Sequence, residues 1–100
     1  MTTYEFDAEP WRWAGNGAQW VFVTTPDDVA DHVESLQTGA GRGFGAVKVR
    51  VAVGTTTWDT SMFPSKEHRA YILPLKAAAR AAAHIEVGTP VRVRITLIAA

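Results

Sequence analysis

Lys76 and Arg80 stand four residues apart in an alanine-rich run. On a helix that spacing puts both cations on one face, with His84 at the next step. Arg69 lies nearby in sequence, and the three bases together could bind an anion. The plainer alternative is a solvated helix face on which Arg80 pairs with a carboxylate. Upstream, Trp58 precedes Thr60 and Ser61. Adjacent strand residues point to opposite faces, so one of the two hydroxyls faces the interior and needs a hydrogen-bond partner there. A polar group in an apolar interior suits a small-ligand pocket, and equally a satisfied structural hydroxyl. The expected ligand site is Trp58, Thr60, Ser61, Arg69, Lys76 and Arg80.

Other groupings carry less. Asp59, Ser61 and His68 have the residue types of a nucleophilic triad, but the glycine-flanked turn that exposes a serine nucleophile is missing. No catalytic residue is assigned, and the chain is expected not to be an enzyme. His32, His68 and His84 lack ligand spacing and there is no cysteine, so neither a metal site nor a cofactor is expected. The glycines of Thr38–Gly45 run from helix into strand, the reverse of phosphate-binding loops, and read as a connection.

Charge is unevenly placed. Residues 1–40 hold one base against seven acids, and residues 41–100 hold nine bases against three acids, for a formal net charge of zero. If the two valine-rich strands neighbour each other, Arg42, Lys48, Arg50, Arg92 and Arg94 form one basic stripe able to contact phosphates. The simpler arrangement sets the acidic half beside the basic half. Nucleic acid is therefore the second partner to consider, after a small ligand or a protein. No stretch approaches the ~18 apolar residues of a membrane span. The acidic N-terminus has no export pattern, and a cytoplasmic monomer or weak homodimer is expected.

The elements that must position these residues follow from periodicity. Tyr4, Phe6 and Ala8 alternate with acids, predicting a strand with one wet face, and Trp11 and Trp13 continue its apolar register past Pro10. Gly15-Asn16-Gly17 signals a turn, and Trp20–Val23 reads as a buried strand. Thr25 is the expected cap of a helix with Val29, Ala30, Val33 and Leu36 on its apolar stripe. Val47–Val53 and Val91–Leu97 alternate as strands. Thr56–Phe63 is another strand, followed by a polar turn over residues 64–69. Tyr71–Leu73 pairs back, Pro74 breaks that ladder, Leu75–Ala83 is helical, and Gly88 with Pro90 ends it. Each half thus reads strand, strand, proline, helix, glycine-containing loop, valine strand, with Pro26 matching Pro74. The expected fold is mainly β with two short helices, a duplicated ββαβ barrel over a single domain, residues 1–100.

With the halves placed, the chain resembles the DUF1905 family. The resemblance rests on Trp58, Thr60-Ser61, Phe63-Pro64, Tyr71 to Lys76, Arg80 and Gly88, with Phe6-Asp7-Ala8 and Trp20 to Val23 in the first half. Residues 65–70 lack the glycine usual in that turn, and residues 84–90 replace the usual Gly-Asp turn. The resemblance implies a double-split barrel and no established chemistry. Ile72-Leu73-Pro74 through Arg80 to Gly88 is also similar to AbrB-type regulators, which implies a distant likeness of fold to DNA-binding dimers.

Overall fold

The computed structural model describes residues 2–15, 18–37 and 45–98. Among these residues, seven strands and two helices follow in the order β1 (Thr3–Ala8), β2 (Trp11–Gly15), β3 (Ala18–Thr24), α1 (Asp27–Leu36), β4 (Val47–Val53), β5 (Thr56–Ser65), β6 (Ala70–Pro74), α2 (Ala77–Ala83) and β7 (Val91–Leu97). All ladders are antiparallel, and the strand order is β1-β7-β4-β5-β6-β3-β2.

That order forces the sheet to curl. β1 and β2 lie at opposite ends of it, yet only Glu9 and Pro10 separate them in the chain. Three peptide steps reach about 11 Å, whereas six strand spacings in a flat sheet cover about 29 Å. The result is a curled, open half-barrel, and among the described residues no ladder joins β1 to β2.

β5 is the hinge of this curl. Its first part, Thr56–Met62, pairs with β4, and its last part, Phe63–Ser65, pairs with β6. Four strands therefore lie to one side (β1, β7, β4 and the start of β5), and four to the other (the end of β5, β6, β3 and β2). The alternating valines meet inside. Val23, Val49, Val51, Met62, Leu73, Val93 and Ile95 are fully buried, each such side chain contributing about 1.5–3 kcal/mol relative to exposure.

The two halves pair alike. Thr25 N–H donates to Tyr71 O at 2.9 Å, and Leu75 N–H donates to Val21 O at 2.8 Å. The first helical bonds also correspond, Ala30 N–H to Pro26 O at 2.8 Å and Arg80 N–H to Lys76 O at 2.9 Å. Pro26 thus matches Lys76, not Pro74 as the sequence suggested. Pro74 does not break the ladder either: it lies opposite Phe22, and pairing continues through Leu75.

Other local expectations are corrected for physical reasons. Thr25 does not cap α1, whose N-cap is Pro26 without a side-chain bond. The buried Thr25 hydroxyl instead accepts from Tyr71 N–H at 3.0 Å and donates to Tyr71 O at 3.2 Å. α2 starts two residues later than expected because Leu75 N–H is held by β3. It ends at His84, which takes the left-handed conformation at φ 56° and so leaves the helix before it can share a face with Lys76 and Arg80. Leu36, placed on the apolar stripe, is 46% exposed. The turn at residues 16–17 and the glycines at 39, 41 and 43 lie outside the described residues, as does Arg42.

Candidate functional site

The curl leaves a split where β5 changes partners. The β5–β6 ladder stops at Phe63 opposite Ile72. Beyond that pair, β6 turns away to meet β3 and then enters α2, while β5 continues along β4. Between them lies a cavity of about 680 Å³ with Thr60, Ser61 and Phe63 on the β5 side, and Pro74, Lys76 and Arg80 on the other. Trp20 and Val21 of β3 complete its wall.

Four of the six sequence-predicted residues meet here: Thr60, Ser61, Lys76 and Arg80. Strand alternation expected only one hydroxyl to face a pocket. Both residues line it, because the cavity sits in the gap beside the strand, not on either sheet face. Arg80 Nε donates to the Leu75 carbonyl at 3.0 Å. That bond fixes the guanidinium while leaving its Nη groups available for a further acceptor. Among the described residues no carboxylate pairs with Lys76 or Arg80.

The other two residues lie elsewhere. Arg69 takes φ 55° in the β5–β6 turn and lines a different cavity of about 380 Å³, beside Asp31 and Glu34 of α1 and Tyr71. Burial, reinforced by the Glu34 charge, pushes the Tyr71 phenol up from its ordinary value. Trp58 packs half-buried against the core, and among the described residues its Nε1 has no hydrogen-bond partner. It is not a wall of the cavity.

Aromatic residues expected in the interior lie beside this cavity instead. Trp11 and Trp13 are odd-numbered and fall on the face opposite Tyr4, Phe6 and Ala8. Trp20 and Phe22 likewise oppose the buried Val21 and Val23. The strand period contained this information, since residues an odd number apart cannot share a face. The outer surface of β2, β3, β6 and the end of β5 is consequently aromatic, with Trp20 50%, Trp13 45% and Phe63 45% exposed. Trp13 folds over its own strand: a Cβ at Gly15 would sit 2.5 Å from its ring. A cleft of about 460 Å³ on this surface shares Trp20, Phe63 and Pro74 with the cationic cavity.

Within the cleft the rings form a series. His68 stacks on Trp11 at 4.8 Å between centroids, Trp11 lies 5.1 Å from Phe22, and Phe22 stacks on Trp20 at 6.3 Å. His68 also shares a 2.9 Å hydrogen bond with Ser65 Oγ, whose oxygen accepts the His68 N–H at 3.3 Å. That is a turn-closing arrangement. Asp59, Ser61 and His68 do not converge: Asp59 is held by Arg50, and His68 bonds Ser65 and stacks on Trp11 in the aromatic cleft, which neither Asp59 nor Ser61 lines.

Of the expected basic stripe, Lys48, Arg50, Arg92 and Arg94 share one face because β4 pairs with β7, but these three arginines are engaged, and Arg42 lies outside the described residues. Arg50 makes a two-point contact with Asp59 at 2.8 and 3.1 Å. Arg94 Nε donates to Glu5 at 2.7 Å, and Arg92 reaches Asp7 at 3.2 Å and Glu5 at 3.5 Å. Hydrogen bonding from Arg94 holds the Glu5 carboxyl below its ordinary range, and that from Arg50 does the same for Asp59. The acidic first strand lies against the basic last one, as the offsetting arrangement required. Among the described residues, no group of three His, Asp or Glu side chains is placed to hold a metal ion, and no helix is long and apolar enough to cross a membrane.

The family model for a domain of unknown function (DUF1905) matches residues 6–95. No curated protein matches the chain.

Proposed function

The chain belongs to the DUF1905 family, and we propose that it is a binding module whose split beside β5 takes a small anionic, peptide-like ligand. One observation carries this reading: Lys76 and Arg80 line an apolar cavity together with Thr60 and Ser61, and among the described residues neither cation has a carboxylate partner. Two cations left unpaired beside apolar walls are complementary to an anion, and charge-assisted hydrogen bonds are the strong ones. The volume suits a small molecule or the end of a peptide. The proposed role is binding without catalysis.

The matching hydrogen bonds of the two halves support reading the curl as a double-split barrel with a pseudo-two-fold axis, distantly like AbrB-type regulators. The nucleic-acid function of those regulators is supported less here. The β4–β7 arginines are already bound by Glu5, Asp7 and Asp59, so contacting phosphates requires breaking those pairs.

The test uses N-acetylleucine as a peptide-like monoanion, titrated calorimetrically into the native chain. Binding is expected, and Lys76→Ala combined with Arg80→Ala should weaken it at least about tenfold, the value of one charged hydrogen bond. An unchanged affinity in the double variant, folded by circular dichroism, removes the site.

A further inference from the structure

The ligand's shape is written in the wall that the two cavities share. Trp20 is the last ring of the series His68–Trp11–Phe22–Trp20. It is half exposed, and among the described residues only Phe22 stacks on it. The same ring lines the cavity that holds Lys76 and Arg80. We propose that this site selects a planar aromatic anion, with its ring stacked on Trp20 and its anionic group held by Lys76 and Arg80. The inference rests on the binding reading above and adds the aromatic requirement.

The physical case is one of complementarity. Phe22 and Trp20 are inclined by only 15° to each other, so a flat ligand ring extends their arrangement without a change in orientation. Aromatic rings gain from offset stacking beyond the area they bury, an advantage a branched aliphatic group lacks. Phe63 and Pro74, common to both cavities, supply apolar flanks. The cations give the polarity: one molecule must span from the indole to the Lys76 and Arg80 side. A second copy of this chain fits the same face poorly. Face-to-face pairing would bring two unpaired cations from each copy into the contact, with only Glu67 in the aromatic cleft to meet them.

The required chemistry, a ring joined to an anion, has two sources: an aromatic amino-acid carboxylate or a nucleotide phosphate. Matched pairs separate them. N-acetyltryptophan is compared with N-acetylleucine, and uridine monophosphate with ribose 5-phosphate, by calorimetry on the native chain and on Trp20→Leu. In one pair the aromatic member should bind roughly tenfold or more tightly, as one stacked ring is worth. Trp20→Leu should erase that preference while leaving the weaker binding in place, and the Trp20 indole N–H resonance should shift in the wild type. Equal affinity within both pairs, still lost in the Lys76→Ala, Arg80→Ala variant, overturns the ring requirement and leaves the binding reading standing. Absence of binding by all four anions overturns both. A dimer that Trp20→Leu dissociates, with no anion bound, also overturns the proposal and assigns the face to a second copy.

Discussion

The two places where a strand parts from its neighbour to enter a helix have the same backbone plan and opposite chemistry. In the second half the split is lined by Thr60, Ser61, Phe63, Pro74, Lys76 and Arg80. Matching ladders put Phe6, Asp7, Trp11, Thr24, Pro26 and Ala30 at the corresponding positions of the first half. There Phe6 is buried, and Trp11 Nε1 donates to Thr24 Oγ1 at 2.8 Å, tying β2 to the end of β3. The Phe63 and Pro74 side chains have no polar atoms with which to make that tie. One split is stitched by a side-chain bond beside a buried Phe6, while the other opens beside two cations. The lesson is that two halves with one pattern of backbone bonds can differ in chemistry, because side chains decide what lines each split.

The largest test of this contrast is at the helix entrances. Thr25 and Leu75 correspond, but only Thr25 bonds a backbone group with its side chain. Thr25→Val should cost about 1–3 kcal/mol in urea unfolding, because the buried Tyr71 N–H loses its acceptor. A loss below measurement error would show that the entrances are energetically alike.

A smaller effect is expected from Trp11→Phe, which gives the first half the unstitched pair of the second. Loss of one part-buried hydrogen bond should reduce stability by about 0.5–1.5 kcal/mol and speed amide exchange at Thr24 and Thr25. If exchange there stays unchanged, the bond does not close the split.

The smallest effect concerns acid. Glu5 and Asp59 are matched residues, each opposite an arginine, and both carboxyls titrate below their ordinary values. A lowered folded value means that their stabilisation is present above the unfolded value and is lost as pH falls through the folded one. Glu5→Gln and Asp59→Asn should therefore each flatten the stability profile below about pH 4, slightly, since both pairs are exposed and screened by salt. A profile identical to wild type in low salt would show that these pairs are only geometric.

Much of this was legible in the chain. The valine alternation in β4 and β7 specifies one buried face whatever the surroundings, because a strand's side chains must alternate. The repeated order of elements, the two helices and the Lys76–Arg80 spacing are equally local properties. Parity alone also held the placement of Trp11, Trp13, Trp20 and Phe22 on the outer face, although their hydrophobicity suggested a buried location. Other features depend on distant residues. His84 rather than Gly88 ends α2, Leu75 is held by β3, and Arg69 faces α1 instead of Arg80. The site itself belongs with these. Thr60 and Ser61 point to opposite faces of β5, yet both reach one cavity because β6 leaves β5 to pair with β3 there. Local sequence determined which residues are polar, apolar or helical; only the competition among strands for partners decided where the ladder opens, and that opening is what brings four scattered side chains to one cavity.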